Sequence, residues 1–264
     1  MVANILSIAG TDPTAGAGIQ ADLKTFSALG CYGLTVVTSI VAQNTLGVKR
    51  FEPVSSEMIS DQLDAVFEDV RIDAVKIGMV ANAKIAAVIV DRLKFYKAQH
   101  IVLDPVMIAT SHHSLIEEDA VDAIKYMLIP MSTIMTPNLP EAGMLLNANT
   151  PENIAQMHDA IGPLLQMGSG WVLLKGGHLS GDECVDLLGG PSGISVLRAP
   201  RVRTKNDHGT GCTLSAALAS FLPFLSVEES AQRAKTYLTT ALIESSRLQI
   251  GRGHGPVHHF HLHW

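Results

Sequence analysis

Residues 208–212 read His-Gly-Thr-Gly-Cys, and an apolar segment follows them at once. Apolar side chains recur at helical spacing from Leu214 to Phe221, which predicts a helix with one face directed into the protein. The free N–H groups at the start of a helix, together with its dipole, attract an anion. Gly209 and Gly211 let the backbone approach that anion without an intervening Cβ atom. The stretch therefore fits an anion-binding turn at the start of a core helix.

Cys212 falls in the first turn of this predicted helix, where the pKa of a thiol tends to fall. The same residue also fits a small, buried hydrophobic position. Taken alone, the five residues leave two interpretations open. One is an anion-binding turn that carries a reactive thiol, and the other is an ordinary turn before a core helix.

The composition is that of a globular protein, with 264 residues of which 47% are hydrophobic and 17% are charged. Such a chain is long enough for one large α/β domain or for two small ones. It shows no internal repeat, low-complexity region or linker, so we expect one domain over residues 1–264. The net charge of −6 argues against nucleic acid as the main partner.

The N-terminal residues and the cysteine count both favour a cytoplasmic location. No basic region precedes the first short apolar run, so no signal peptide is predicted. No stretch approaches the roughly 20 apolar residues of a membrane span. The three cysteines, Cys31, Cys184 and Cys212, are few and odd in number, which is typical of reduced thiols and not of a disulfide framework.

Short apolar runs alternate with helical patterns along most of the chain. The runs predict strands near residues 4–9, 34–40, 74–77, 101–103, 133–135 and 171–174. This alternation is typical of an α/β fold with a mostly parallel sheet and helices on both faces. Two later runs, Val185–Leu188 and Ile194–Leu197, have glycines between them and predict a small antiparallel hairpin at one sheet edge.

Candidate site residues follow several predicted strands, where ligands gather in a parallel sheet. Gln43, Met79, Asp104 and Lys175 all lie at or just beyond strand ends. Lys175 precedes two glycines, which fits a contact with phosphate. Gln43 fits a ligand contact or a hydrogen bond to the backbone of its own loop.

Asn138 and Glu141 lie three residues apart after another predicted strand. This spacing places both side chains on one face of a starting helix. They fit a ligand site there, and they equally fit a capping Asn with a Glu in the first turn.

A second glycine-rich loop, residues 10–18, also precedes a predicted helix. Residues Gly16–Ala21 fit the dinucleotide-binding fingerprint, which expects an acidic residue about 20 positions further on. The chain has no Asp or Glu between Asp22 and Glu52. A nicotinamide or flavin dehydrogenase is therefore only the second candidate class.

The C-terminal residues contain five histidines, His254, His258, His259, His261 and His263. Imidazoles suit a transition metal, but no carboxylate or cysteine accompanies them in residues 251–264. A packed or solvated C-terminus is the other interpretation.

Eight motifs, taken in order along the chain, together resemble one protein family. They are AGTDP at 9–13, GIQAD at 18–22, VAQNT at 41–45, KIGM at 76–79, LDPV at 103–106, PNLPEA at 137–142, KGGH at 175–178 and HGTGC at 208–212. The chain is similar to the bacterial hydroxymethylpyrimidine/phosphomethylpyrimidine kinases of thiamine biosynthesis, within the ribokinase-like superfamily. The resemblance runs from about residue 4 to the GPVHHFH segment at 255–261.

This resemblance implies a ribokinase-like fold, with a central mostly parallel sheet flanked by helices, and a homodimer. It implies an enzyme that uses ATP and Mg²⁺ to phosphorylate 4-amino-5-hydroxymethyl-2-methylpyrimidine and then its monophosphate. It also displaces the dehydrogenase, because several ordered motifs are more specific than one glycine fingerprint.

Carried over motif by motif, the resemblance implies a set of substrate contacts. Gln43 would hydrogen-bond the aminopyrimidine, because a primary amide both donates and accepts. The other residues of the substrate-binding set would be Gly10, Asp22, Met79, Val106 and Lys235.

The resemblance also implies the catalytic and metal-binding residues. Asp104 and Glu141 would serve Mg²⁺, a hard cation that prefers oxygen ligands. Lys175 would touch the ATP phosphates. Charge on the transferred phosphoryl group would be held by the turn that contains Gly209, Gly211 and Cys212.

Cys212 separates this chain from most ribokinase-like sugar kinases, which have an Asp at that position. The resemblance therefore leaves open whether Cys212 acts as a base or only shapes the turn. Some pyridoxal kinases also resemble this chain at the cysteine, so a pyridoxal or pyridoxine kinase is the alternative function on the same fold.

Overall fold

The computed structural model describes residues 1–107 and 118–264, and these two ranges form ten strands and eight α-helices. The strands are β1 (Asn4–Ala9), β2 (Tyr32–Val37), β3 (Ser39–Asn44), β4 (Gly47–Pro53), β5 (Ala74–Ile77), β6 (Ile101–Leu103), β7 (Ile134–Met135), β8 (Trp171–Leu174), β9 (Glu183–Gly190) and β10 (Gly193–Pro200). The helices are α1 (Gly18–Ala28), α2 (Ser56–Asp69), α3 (Ala83–Phe95), α4 (Glu118–Ala123), α5 (Leu139–Leu146), α6 (Ile154–Leu165), α7 (Thr210–Phe221) and α8 (Val227–Ile243). None of these described helices is both long enough and apolar enough to cross a membrane.

Eight strands form the central sheet, in the spatial order β10-β9-β8-β7-β6-β5-β1-β2. The six strands from β8 to β2 run parallel, whereas β9 and β10 are antiparallel to their neighbours. The predicted α/β fold with a mostly parallel sheet is confirmed, and so is the antiparallel hairpin at one edge.

Apolar side chains of the sheet point alternately into two helical layers. Leu6 and Ile8 belong to a buried cluster with side chains of α2, α3, α5 and α6, whereas Ile5 belongs to a second cluster with α1, α7 and α8. Because both faces are covered, most side chains of the parallel strands are apolar. The prediction of helices on both faces is confirmed.

The predicted strand over residues 34–40 is wrong at its C-terminal end. The chain leaves the central sheet after Val37, and β3 pairs with β4 as a separate two-stranded antiparallel sheet. Thr38 connects the two sheets, because its N–H donates to the last residue of β1 and its carbonyl accepts from the residue after β4. The predicted run over residues 34–40 gave no sign of this change of sheet.

The histidine-rich C-terminus packs against the protein. His258 and His259 are buried, and His259 Nε2 lies 3.1 Å from Thr213 Oγ1 at the start of α7. The Tyr237 hydroxyl on α8 donates to the His259 carbonyl at 2.6 Å. Over residues 1–107 and 118–264 no group of three or more His, Cys, Asp or Glu side chains is arranged to hold a metal. The packed interpretation therefore fits these two histidines.

Candidate active site

A cavity of about 600 Å³ opens at the carboxyl ends of the parallel strands, a size typical of small-molecule sites. Eleven of the twelve predicted site residues line it, namely Gly10, Gln43, Met79, Asp104, Val106, Glu141, Lys175, Gly209, Gly211, Cys212 and Lys235. The topology explains this convergence, because most of these residues follow neighbouring strands that end at the same edge of the sheet.

The glycine turn lies at the start of α7. Gly209 is the N-cap residue with a φ of 78°, and among the described residues no side chain caps the helix. A Cβ atom on Gly209 would overlap the carbonyl oxygen of Gly16. A Cβ atom on Gly211 would lie 3.3 Å from Lys175 Nζ and 3.5 Å from Asp104 Oδ2. The helix start thus faces a lysine and a carboxylate, and a lysine beside open N–H groups suits an anion.

Lys175 lies between the two carboxylates of the site. Its Nζ atom is 2.8 Å from Asp104 Oδ1 and 4.0 Å from Glu141 Oε2. Thr136 donates to Asp104 Oδ1 at 3.0 Å, and Ser215 of α7 donates to Asp104 Oδ2 at 3.4 Å. Asp104 is therefore held in place from β7, β8 and α7 at once.

The pKa values of the two carboxylates shift in opposite directions. Burial opposes the ionisation of Asp104, but Lys175 and Lys76 hold its pKa below the usual range. Burial raises the pKa of Glu141 to about 7, against the effect of Lys175 and with the help of Asp104. A cation bound between the two would favour the ionised form of both.

The donor set fits Mg²⁺. This ion takes one or two protein carboxylates and fills its other positions with phosphate and water. Asn138 and Glu141 also form the predicted capping box of α5, because the Asn138 N–H donates to Glu141 Oε2 at 2.7 Å and the Glu141 N–H donates to Asn138 Oδ1 at 2.8 Å. The capping interpretation is therefore confirmed, and the cap fixes the Glu141 carboxylate beside Lys175.

Lys76 is a site residue to which the sequence-based reasoning gave no role. It lines the cavity floor from β5, and its Nζ atom is 2.9 Å from Asp22 Oδ2 with both side chains fully buried. Ser7 donates to the same carboxylate oxygen at 2.6 Å. Asp22 was expected near the polar groups of the substrate, but it lies beneath the floor and contacts the cavity through Lys76. The one signal in the sequence was a lysine inside the apolar strand Ala74–Ile77.

The Gln43 amide lines the cavity together with residues that carry no polar side-chain atoms. Among these residues are Gly10, Met79 and Val106. A Cβ atom on Gly10 would lie 3.3 Å from Met79 Sδ, so the glycine keeps space open beside Met79. A register shift just before Gln43 in the β3–β4 pair is the kind of bulge that re-aims a side chain.

Lys235 lines the cavity beside β9. Its Nζ atom is 2.7 Å from Asp186 Oδ2 and 3.8 Å from Cys184 Sγ, and Asp186 Oδ1 accepts from the Gly176 N–H at 2.9 Å. Four strands separate β9, which carries this pair, from β1, which precedes Gly10, and that separation is roughly 24 Å across the sheet. Lys235, which the resemblance placed in the substrate-binding set, is therefore remote from Gly10. Apolar side chains line the cavity beside it, including Val202, Leu238 and Leu242.

The Cys212 thiol does not have the lowered pKa that its place in a first helical turn predicted. Burial raises its pKa to about 11, although Lys76 and a hydrogen bond from the Gly18 backbone work in the opposite direction. Asp22 and Asp104 add to the increase. At neutral pH the group is therefore a thiol and not a thiolate.

The first glycine loop carries its own anion. Asp12 Oδ2 accepts from the N–H groups of Gly16 at 3.0 Å and Ala17 at 2.8 Å, and Asp12 Oδ1 accepts twice from Thr14. His208 Nε2 lies 2.8 Å from Asp12 Oδ2 and joins this loop to the glycine turn. The loop that resembled a dinucleotide site is thus filled by a carboxylate of the protein.

Fold and site together indicate a phosphoryl-transfer enzyme, because an open helix start, a lysine and two carboxylates converge at the ends of parallel strands. The comparisons with known proteins agree and are more specific. The phosphomethylpyrimidine kinase family model matches residues 12–258, and the chain belongs to that family. It is 49% identical over 262 residues to the hydroxymethylpyrimidine/phosphomethylpyrimidine kinase of Escherichia coli (strain K12), covering 99% of this chain and 98% of that protein. Identity to the Rhizobium meliloti (strain 1021) enzyme of the same name is 48%, covering 100% and 99%.

Solved structures show the same fold with two activities. The crystal structure of phosphomethylpyrimidine kinase from Clostridium difficile 630 has a TM-score of 0.80 at 42% identity and covers 91% of this chain and 99% of that chain. The Staphylococcus aureus pyridoxal kinase in complex with AMP-PCP and pyridoxal has a TM-score of 0.91 at 30% identity, covering 100% and 95%. Fold similarity does not separate the two activities, whereas the full-length sequence identity favours the pyrimidine kinases. The protein is therefore a kinase of this family, and its pyridoxal kinase neighbours are more distant relatives.

Proposed function

We propose that the protein transfers the γ-phosphoryl group of ATP to 4-amino-5-hydroxymethyl-2-methylpyrimidine and then phosphorylates the monophosphate to the diphosphate, in thiamine biosynthesis. The observation that carries the proposal is that the Gln43 amide, the glycine turn, Lys175 and the carboxylates of Asp104 and Glu141 line one cavity. The kinases with this pair of activities in their name match the chain over nearly its whole length.

The acceptor would bind at the Gln43 end of the cavity. The Gln43 side chain both donates and accepts, which suits an amino group beside a ring nitrogen. Met79 and Val106 would supply apolar surface for the ring, and Gly10 would leave room for it. The hydroxymethyl group would then point toward the glycine turn in the middle of the cavity.

The nucleotide would approach from the opposite end. The Asp186–Lys235 pair fixes the backbone of Gly176 just after Lys175, so it orients the loop that carries the phosphate lysine. Val202 and Leu238 offer apolar surface to a nucleobase. This arrangement would bring the γ-phosphoryl group to the glycine turn.

In the first transfer the hydroxymethyl oxygen forms a bond to the γ-phosphorus, the bond between that phosphorus and the ADP oxygen breaks, and the hydroxyl proton is released. Lys175 and the N–H groups of the turn at Gly209–Gly211 would stabilise the charge on the transferred phosphoryl oxygens. When bound, Mg²⁺ supplies further neutralisation of phosphate charge, and Asp104 and Glu141 are the residues that would hold it. In the second transfer a phosphate oxygen of the monophosphate is the nucleophile.

A transfer assay tests this function directly. The parent protein with ATP and Mg²⁺ is offered the pyrimidine alcohol, its monophosphate and pyridoxal, and we expect the two pyrimidines to give the higher kcat/KM values. Pyridoxal is the second candidate acceptor because a pyridoxal kinase superposes on the chain with a TM-score of 0.91. A preference for pyridoxal would replace the proposed function with that alternative.

A Gln43→Met variant tests the position of the acceptor. Loss of a buried pair of hydrogen bonds costs about 1–3 kcal/mol, so the KM for the pyrimidine alcohol should rise roughly 5- to 150-fold. The KM for ATP should stay unchanged. Gln232→Met on the exposed face of α8 is the matched control, and an equal loss of ATP affinity in the Gln43 variant would remove this residue from the acceptor pocket.

Asp104→Asn tests the metal site. The variant removes a charged oxygen ligand, so half-maximal activity should require several-fold more Mg²⁺, and added Mg²⁺ should restore part of the rate. An unchanged Mg²⁺ dependence would exclude Asp104 as a ligand.

We also propose a cytoplasmic homodimer, as the family resemblance implies, and sedimentation equilibrium would measure its mass.

A further inference from the structure

Residues 251–259, which we name the C-terminal strap, are bonded to the tip of the β3–β4 hairpin. The backbone N–H groups of Arg252 and Gly253 donate to Thr45 Oγ1 at 3.2 Å each, and the His254 N–H donates to the Thr45 carbonyl at 2.8 Å. Thr45 is buried. One threonine thus accepts hydrogen bonds from three consecutive residues of the strap.

The strap approaches the hairpin as closely as backbone allows. A Cβ atom on Gly251 would overlap the Thr45 side chain, and a Cβ atom on Gly253 would overlap the Thr45 carbonyl oxygen. Gly251 has a φ of 72°, which favours glycine, but the φ of Gly253 lies outside the left-handed region. At Gly253 the requirement for glycine therefore comes from the contact itself.

The other part of the strap is bonded to the glycine turn and to α7. The His208 N–H donates to the Gly255 carbonyl at 3.0 Å, and Pro256 forms an isolated parallel bridge with His208. Further on, His259 Nε2 lies 3.1 Å from Thr213 Oγ1 in the first turn of α7. One short segment thus connects the hairpin that carries Gln43 with the turn that faces Lys175.

The hairpin needs such external support. It is a two-stranded sheet separate from the central sheet, and an isolated two-stranded hairpin is at best marginally stable. Its base is anchored on the first glycine loop, where the Thr11 N–H donates to Ser39 and Thr11 Oγ1 accepts from Val41, both at 2.9 Å. Its tip is anchored at Thr45, and Gln43 lies between the two anchors.

We propose that the C-terminal strap positions Gln43 against the glycine turn, so that a bound acceptor is aimed at the phosphoryl group, an inference that rests on the proposed function. Thr45 is then a positioning residue, which acts on the acceptor through the hairpin. Displacements of about 1 Å in such a constellation are enough to slow a transfer. The histidine-rich C-terminus thereby acquires a role that does not involve a metal.

Thr45→Val and Thr45→Ser form the first test. Valine keeps the shape and removes the acceptor of two N–H groups, so the KM for the pyrimidine alcohol should rise roughly 5- to 10-fold while the KM for ATP stays unchanged. Serine keeps the hydroxyl and should stay within about twofold of the parent. A purely structural role would change both KM values together.

Gly253→Ala tests the strap from its own side. The added methyl group overlaps the Thr45 carbonyl and pushes the strap away from the hairpin, so the KM for the alcohol should rise at least as much as in Thr45→Val. Gly162→Ala is the control, because a Cβ atom there meets nothing within 4 Å.

Amide hydrogen exchange on the substrate-free protein gives a readout that needs no turnover. The β3 amides should exchange faster in Thr45→Val and Gly253→Ala than in the parent, and the β6 amides should exchange at the parent rate. If the parent phosphorylates neither pyrimidine, the proposed function fails and β3 exchange alone decides the role of the strap. Unchanged β3 exchange, unchanged KM values in both variants or an equal rise in both KM values would overturn the proposal.

Discussion

Two glycine-rich loops precede helices at the same edge of the sheet, residues 10–18 before α1 and residues 208–212 before α7. In the first loop, the Asp12 carboxylate accepts from the N–H groups of Gly16 and Ala17. In the second loop, no side chain of the described residues caps the helix start, and the ammonium group of Lys175 lies beside it. The first loop is closed by the protein itself, whereas the second is open to a ligand.

The comparison shows that glycine spacing alone does not define a phosphate site. Glycines expose backbone N–H groups in both loops, but an acidic residue inside the first loop occupies them. A nucleotide phosphate there would have to displace a buried carboxylate, which is costly. The hydrogen bond between His208 Nε2 and Asp12 Oδ2 connects the two loops, so the closed loop helps to hold the open loop in position.

Lys175→Ala should cause the largest loss of activity, because the open loop would lose the ammonium group beside it. We expect kcat/KM to fall roughly 10²- to 10³-fold for both transfers, since both use the same phosphate donor. Added Mg²⁺ should not restore the rate. Lys84→Ala, an exposed lysine on α3, is the control, and a loss confined to the first transfer would place Lys175 at the acceptor instead.

Asp12→Asn should act on the closed loop and mainly on stability. The carboxylate accepts from Thr14, Gly16, Ala17 and His208, and an amide offers only one accepting oxygen. Hydrogen bonds to a charged group contribute about 1.5–3 kcal/mol each, so we expect urea unfolding to show a loss of roughly 2–4 kcal/mol. Asp61→Asn on the exposed face of α2 should be neutral. Unchanged stability with a large loss of turnover would instead indicate that Asp12 contacts the substrate.

The sequence was sufficient for the central sheet because its parallel strands are buried on both faces. Runs such as Asn4–Ala9 are mostly apolar, and a helical pattern follows this one. The change from the central sheet to the β3–β4 hairpin at Thr38 was not predicted. It depends on hydrogen bonds between Thr38 and residues outside the predicted strand at 34–40. Local patterns therefore predicted the strands of the central sheet but not the β3–β4 hairpin.

The site was predictable where motif and strand end coincide, and less so where charges meet across the fold. The Lys76–Asp22 pair joins residues 54 positions apart, and neither partner reveals the other in the sequence. The predicted fall in the pKa of the Cys212 thiol was wrong for the same reason. The helix start favours a thiolate, but burial among side chains from other elements outweighs it.

The pH dependence of stability tests the helix that follows the open loop. His259 contacts the first turn of this helix through Thr213. Burial lowers the pKa of His259 to about 3, and Lys24 adds to the effect. Above about pH 6.5 the His259 imidazole is neutral in both the folded and the unfolded protein. Between about pH 6.5 and pH 3 the imidazole takes up a proton in the unfolded protein but not in the folded one. The free energy of unfolding should therefore decrease as the pH falls, by roughly 2 kcal/mol from this group between pH 7.5 and 5.0.

Urea unfolding of His259→Gln at the two pH values measures this contribution. The variant keeps a group that can bond Thr213 but cannot take up a proton, so its stability should decrease less than that of the parent by roughly the same 2 kcal/mol. His158→Gln, an exposed histidine on α6, should behave like the parent. An equal decrease in all three proteins would assign the acid sensitivity to other groups.

Cys212→Ala should have the smallest effect on activity. Comparing the loss of kcat/KM in the first transfer with the loss in the second shows what the thiol does. The alcohol must lose a proton, whereas the monophosphate, with a second pKa of about 6, is mostly a dianion at pH 7 and needs no base. A general base at Cys212 would therefore cost the first transfer roughly 10²- to 10⁴-fold and the second much less. With the thiol pKa raised to about 11, the thiolate at pH 7 is only about one part in 10⁴.

We therefore expect Cys212 to shape the turn, so that kcat/KM for the alcohol and for the monophosphate fall together in Cys212→Ala, by about tenfold or less. A loose transition state supports this expectation, because positioning then contributes more than proton abstraction. Cys212→Ser fills nearly the same space and should recover most of the rate on both acceptors. A loss confined to the alcohol, unrelieved by serine, would instead show that the thiol removes the proton, and the electrostatics of the turn would have to change when the nucleotide and metal bind.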